Sequence, residues 1–220
     1  MTAEENPETI LRQNGVILDG HFVLKAGHHS GKYINKDEVY TDAKAVASLC
    51  IDLALPFRDD KHAPEELVET VIGPAIGGVV LSHCAAHFLA LDGRRIRSVF
   101  ADKGEDGDGR FVIKRGYDRY ITDRRVLVVE DIITTGSSVR GTIEAVRGFG
   151  GTVIGVSALC NRGRVTAGSL GVPKLVQLVT MDLETWAADR CPLCDAGMHI
   201  NVELGHGAAY VAKHGQPTRK

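Results

Sequence analysis

The sequence predicts an α/β protein with a mostly parallel central sheet flanked by helices. Three observations carry that expectation. Short apolar runs recur at 68–72, 97–101, 126–129, 152–159 and 174–180, and read as buried strands. Amphipathic helical patterns stand between several of them, at 79–91 and from Val139 through Ile143 and Val146. Two strand ends run directly into loops of small residues, 73–78 and 134–138, and in such sheets ligands bind beyond the carboxyl ends of the strands.

Taken in order, residues 7–14 predict a short helix with Pro7 in its first turn and Ile10 and Leu11 on its apolar side. Residues 15–40 carry strand-like fragments that predict a small antiparallel unit. Asp42 caps a helix through about Leu55, with Val46, Leu49, Cys50 and Leu53 inward. Residues 58–66 form a polar linker, and 102–123 a long polar loop with glycines at 104, 107, 109 and 116. The expected organisation is an N-terminal segment 1–40, an α/β core 41–182 and a C-terminal tail 183–220.

The 220 residues suit one domain with small appendages, and the formal net charge of -2 comes with no basic run, so a nucleic-acid partner is not expected. The start of the chain is acidic and lacks the apolar core of a signal peptide. No apolar run has the length to span a bilayer, so the expectation is a cytoplasmic protein without a membrane partner.

The chemistry concentrates at 126–138. Four apolar residues are followed by Glu130 and Asp131, then by Thr134, Thr135, Gly136, Ser137 and Ser138 at a helix start. Successive backbone N–H groups and hydroxyls at a helix N-terminus bind phosphate without a lysine, and Gly136 lets the backbone approach. Carboxylates accept hydrogen bonds from vicinal sugar hydroxyls. A ribose 5-phosphate unit fits: phosphate in the loop, 2- and 3-hydroxyls on the acids. No G-x-x-x-x-G-K-[ST] run is present, which excludes a nucleoside-triphosphatase P-loop.

Residues 128–137 resemble the phosphoribosyl-pyrophosphate (PRPP) signature of type I phosphoribosyltransferases, and residues 20–36 resemble the opening hood segment of the orotate phosphoribosyltransferases. The similarity runs, with gaps, from about Gly15 to Arg162. It implies the type I fold with a small N-terminal hood, a homodimer, and the joining of orotate to PRPP to give orotidine 5′-monophosphate and pyrophosphate. Mg2+ is then carried mainly through PRPP and water. The resemblance assigns PRPP contacts to Glu130, Asp131 and the 134–138 loop, and to Ala75, Ile76 and Gly77 in the pyrophosphate loop. It places Lys25, Tyr33, Ile34 and Arg162 at the base, gives catalysis to Lys103 and Asp131, and makes 102–118 a lid. The family usually carries a lysine where Gly77 stands, and cations where 102–109 is acid-rich here. Two further readings therefore stay open: transfer to another nucleobase, and a PRPP- or nucleotide-binding regulator without turnover.

Cys191 and Cys194 form a C-x-x-C near the C-terminus. They read as structural thiols, with a structural zinc or a redox pair as alternatives. Zinc needs two more ligands, for which His199 and His206 are the nearby histidines.

Overall fold

The computed structural model describes residues 6–25, 27–58, 67–104 and 110–219. The chain divides into two compact units, one built from Met1–Val39 with Asp182–Lys220, the other from Tyr40–Met181. Most of the 58–66 linker and the acidic stretch 105–109 lie outside the described residues.

The larger unit is a six-stranded sheet. Helix α2 (Ala43–Ala54) leads to β3 (Thr70–Pro74), α3 (Gly77–Leu89), β4 (Arg97–Lys103) and β5 (Phe111–Val112). There follow β6 (Arg125–Ile133), α4 (Ser137–Gly148), β7 (Thr152–Asn161), the short α5 (Ala167–Leu170) and β8 (Leu175–Thr180). Strand order is β5-β4-β3-β6-β7-β8, parallel throughout except for β5. This is the expected mostly parallel sheet with helices.

Strand alternation builds the two faces of the core. Val126 and Val128 of β6 join Val139, Ile143 and Val146 of α4 in one buried cluster. Leu127 and Val129 have the opposite parity on the strand and are equally buried. Fully burying each such side chain contributes about 1.5–3 kcal/mol. On α2 the predicted inward residues Val46, Leu49, Cys50 and Leu53 are buried, and Asp42 caps the helix by accepting from the N–H of Lys44 at 2.9 Å and of Ala45 at 3.1 Å.

Two expectations change. Strand β6 continues past its apolar run, so Glu130 and Asp131 lie on the strand itself: backbone pairing with β7 continues through Glu130–Ala158 and Ile133–Asn161. The loop expected over 102–123 opens as a hairpin, with Lys103 opposite Phe111 and Gly104 N–H donating to Arg110 O at 2.7 Å.

In the smaller unit, α1 (Pro7–Gln13) precedes β1 (Ile17–Val23) and β2 (His29–Ile34), an antiparallel pair. The C-terminal segment adds β9 (Thr185–Trp186) beside β2, then α6 (Pro192–Asp195) and α7 (Gly207–His214). The tail, expected as a segment of its own, thus shares a unit with the N-terminal hairpin. Asn201 N–H donates to His21 O and His206 N–H to Val23 O, both at 2.8 Å. Among the described residues no helix is long and apolar enough to cross a membrane.

Candidate active site

Strand β6 carries the site. Successive residues on a strand face opposite sides, so the adjacent acids separate. Glu130 shares the parity of Val126 and Val128, toward α4, and lines a cavity of about 190 Å³ together with the 134–138 loop. That volume is below the ~300–1,000 Å³ of an ordinary small-molecule cleft, and suits the phosphate end of a ligand. Asp131 turns to the other side, toward the start of α3.

Both acids are buried, 6% exposed each. Burying a carboxylate is costly unless donors meet it. Asp131 N–H donates to Glu130 Oε1 at 3.1 Å, and Ile132 N–H to Asp131 Oδ1 at 2.6 Å. The Tyr40 hydroxyl stands 3.4 Å from Asp131 Oδ2 and 3.0 Å from Gly77 O. Burial first, then the charges of Asp131 and Glu130, push the Tyr40 phenol well above its ordinary range, so it keeps its proton and donates.

The 134–138 loop follows at once. Gly136 adopts a left-handed conformation, φ 76°, and opens α4. The N-cap is a glycine and offers no side chain, and the Ser137 N–H donates to Thr135 Oγ1 at 3.4 Å, a long contact at the first turn of α4. Two guanidinium groups flank the loop. Arg140 donates to Thr135 O, and Arg162 Nε donates to Thr134 Oγ1 at 3.0 Å. Gly163 packs so closely on Thr134 that a Cβ there would meet its carbonyl. These contacts hold positive charge beside the helix N-terminus, where an anion is favoured.

The loop 75–77 joins from β3. Ala75 and Ile76 connect β3 to α3, and Ala75 N–H donates to Ala101 O at 2.8 Å. Ile76 is 87% exposed, an apolar side chain with no core to fill. Gly77 has no room for a side chain: a Cβ would overlap Asp131 Oδ2 and lie 2.8 Å from its Cγ. Lys103 is exposed at the end of β4. Its neighbour Asp102 is paired with Arg115.

The structure thus joins Glu130 and residues 134–138 around one cavity, binds Arg162 to that loop, and brings Asp131 against Gly77. Lys25, Tyr33 and Ile34 belong to the other unit. There Lys25 is exposed in the turn after β1, Tyr33 stacks on Phe22 with ring centroids 5.3 Å apart, and the Ile34 side chain is buried. Cys191 and Cys194 meet His21 and His29 rather than the histidines nearer in sequence. Sequence reasoning missed Tyr40 and Arg140. Arg140 carried a signal, a cation one turn into the phosphate-loop helix; Tyr40, 91 residues from Asp131, carried none.

A larger cavity of about 680 Å³ lies at the opposite, amino-terminal ends of β3, β4 and β6, beside Glu69, Arg97 and Arg124. Size alone does not locate the chemistry, because the loops that can hold a ligand leave from the carboxyl ends.

Fold and site together define a class: parallel α/β proteins in which a strand-borne acid pair runs into a hydroxyl-rich loop at a helix N-terminus. Residues 37–190 match the phosphoribosyl transferase domain, and the chain belongs to that family. The orotate phosphoribosyltransferase of Caldicellulosiruptor bescii is 37% identical over 193 residues, 87% of this chain and 92% of that protein. The one from Desulforamulus reducens is 38% identical over 189 residues, 86% and 90% of the respective chains. The crystal structure of orotate phosphoribosyltransferase from Aeropyrum pernix aligns with a TM-score of 0.62 at 29% identity, covering 79% of this chain and 92% of that one.

Proposed function

We propose that this protein transfers the phosphoribosyl group of PRPP to orotate, giving orotidine 5′-monophosphate and pyrophosphate in pyrimidine synthesis. The observation that carries the reading is the run from Glu130 through the hydroxyl-rich 134–138 loop to the start of α4, in a chain 37% identical to an orotate phosphoribosyltransferase over most of its length. In the reaction the bond from the sugar's anomeric carbon to pyrophosphate breaks, and the leaving group keeps the electron pair. A bond from that carbon to N1 of orotate forms, and the N1 proton is released.

The passing sugar is cation-like, so the protein's task is positioning and charge stabilisation rather than nucleophilic attack. The 134–138 N–H groups and hydroxyls, with Arg140 beside them, hold the 5-phosphate. Glu130 and Asp131 accept from the ribose hydroxyls. Ala75, Ile76 and Gly77 present backbone to the pyrophosphate, and Lys103 assists its departure. Lys25, Tyr33, Ile34 and Arg162 serve the base, as the resemblance implies.

The donor set at the acids is all oxygen, carboxylates and hydroxyls, which suits a hard cation such as Mg2+. Carried mainly by PRPP and water, Mg2+ supplies charge neutralisation at the pyrophosphate oxygens. A homodimer, in which a second copy brings a cation to the acid-rich 102–109 loop, and a cytoplasmic setting belong to the same reading.

The test offers purified protein Mg2+ and PRPP with orotate, uracil, adenine, guanine or hypoxanthine, and follows pyrophosphate release. Turnover with orotate alone is expected. Turnover only with another base sinks the orotate assignment, and tight PRPP binding without turnover on any base makes the protein a regulator.

A further inference from the structure

Outside the phosphoribosyl site, four side chains of the smaller unit converge without a part in the transfer chemistry. His21 and His29 come from β1 and β2, Cys191 and Cys194 from the two ends of the first turn of α6. One ligand atom from each lies within 4.8 Å of the others. All four lie outside the matched family domain, residues 37–190.

The distances have the scale of a coordination polyhedron. Cys191 Sγ is 3.5 Å from His21 Nε2, Cys194 Sγ is 3.8 Å from the same nitrogen, and Cys194 Sγ is 3.3 Å from His29 Nδ1. A tetrahedral zinc with bonds of about 2.3 Å to sulfur and about 2.0–2.1 Å to nitrogen sets its sulfur and nitrogen ligands about 3.5 Å apart. The two imidazole nitrogens are 2.8 Å apart, shorter than the edge of about 3.3 Å that such bonds imply, so a slight opening of the pair admits the ion.

Proton accounting favours the same occupant. His21 Nδ1 is 2.7 Å from Met198 O, and a carbonyl can only accept, so the His21 proton is on Nδ1. Its Nε2 lone pair then faces the cluster. Fixing a ligand imidazole by a hydrogen bond from its outer nitrogen to a carbonyl is how zinc histidines are oriented. His29 is fully buried, and its Nε2 has no hydrogen-bond partner among the described residues. Placing the His29 proton on Nε2 frees Nδ1 as a second lone pair aimed at the same point. The edge-to-face contact of its ring with Tyr210, centroids 4.8 Å apart, fixes the ring plane.

The local backbone delivers the ligands. The register of β1 and β2 shifts between Asp19 and Phe22, an irregularity that re-aims the side chain of His21. Pro192 starts α6 and Asp195 N–H closes its first turn on Cys191 O at 3.1 Å, which brings the two thiols of the C-x-x-C to one side. None of the five cysteines is in a disulfide.

We propose that His21, His29, Cys191 and Cys194 bind a structural zinc ion that clips the C-terminal segment onto the β1–β2 hairpin. Two sulfurs and two nitrogens in a tetrahedral arrangement select Zn2+, and four protein ligands leave no open position for catalysis. The clip reinforces the backbone contacts of Asn201 and His206 with β1.

The test is metal analysis of full-length protein purified without chelators, with Co2+ titration of the wild-type protein after zinc removal. About one zinc per chain is expected, and Co2+ should give the intense visible and near-ultraviolet bands of tetrahedral thiolate coordination. His199→Ala and His206→Ala should keep the zinc, while a Cys191→Ser/Cys194→Ser double variant should lose it. Wild-type protein that holds no zinc and gives no tetrahedral Co2+ spectrum would overturn the proposal, and so would zinc that survives in the double variant. A Cys191–Cys194 disulfide in metal-free protein as purified would replace the clip with a redox pair. The Co2+ titration uses the wild-type chain, so its outcome does not depend on the variants folding.

Discussion

Replacing Gly77 by alanine tests how closely the pyrophosphate loop and the acid pair are fitted. The added Cβ would overlap Asp131 Oδ2, lie 2.8 Å from Asp131 Cγ and 3.0 Å from the Tyr40 hydroxyl oxygen. Asp131 is 6% exposed and accepts from Ile132 N–H at 2.6 Å, so rotating it away breaks that bond. Relief requires a shift on the order of 1 Å, and a displacement of that size at a reacting centre costs about 100-fold in rate. The overpacking itself costs about 1–3 kcal/mol, or roughly 2–12 °C in Tm for a chain of this size. The assay is pyrophosphate release with PRPP and orotate, alongside thermal unfolding. Gly77→Ala should lose about 100-fold in kcat/KM, near 2.7 kcal/mol in the barrier, while remaining folded. Gly77→Lys should be worse still, because its Cβ meets the same obstruction. Wild-type kcat/KM in Gly77→Ala, or Gly77→Lys exceeding Gly77→Ala, would refute the reasoning.

Three other perturbations have defined outcomes. Tyr40→Phe removes the donor beside Gly77 O and Asp131 Oδ2, which leaves buried acceptors short of a partner at about 1–3 kcal/mol; kcat/KM for PRPP should drop about tenfold, and a lower Tm with unchanged kinetics would make the contact purely structural. Asp131→Asn keeps the shape but removes the charge offered to a sugar hydroxyl, so PRPP use should fall about 10- to 150-fold with little change in Tm; unaltered activity would break the ribose assignment. Glu69 supplies a pH signature. Burial alone would raise its carboxyl, but the Arg125 N–H and the Arg124 guanidinium outweigh it and hold the group below its ordinary 4.5. A carboxyl depressed on folding stabilises above its unfolded pKa, and that contribution is lost as pH falls through the lower folded value. Wild type should therefore exceed Glu69→Gln by about 1–2 kcal/mol near pH 7, with the gap closing in acid. Denaturant titrations at both pH values measure it, and a gap independent of pH would exclude the carboxylate as its source.

The sequence is informative where structure is local. The strand, acid pair, hydroxyl loop and helix occupy a few consecutive turns of chain, so their order alone placed the start and the inward face of α4, as helical spacing placed that of α2. Apolar content marks the end of a strand only when the strand ends with its core. In β6 the ladder with β7 runs on through polar residues, because backbone pairing is indifferent to the carboxylates it carries. Long-range pairing leaves no such trace. Nothing near Cys191 names His21, 170 residues earlier, and proximity in sequence favoured His199 and His206 instead. The two-residue β9 is too short for any periodicity, yet it is what draws the tail beside β2.

The acid pair explains why these two residues are adjacent rather than spaced. Two carboxylates at neighbouring strand positions cannot share a face, so one strand end serves two loops: Glu130 toward the phosphate loop, Asp131 toward Gly77 and Tyr40. A stability-driven sequence would not place two buried acids here, since apolar residues of similar volume avoid their desolvation. The N–H groups of Asp131 and Ile132 and the Tyr40 hydroxyl meet part of that cost. The pair stands on β6 between the 134–138 loop and Gly77. Sites of this kind are where local folding rules are expected to give way to function.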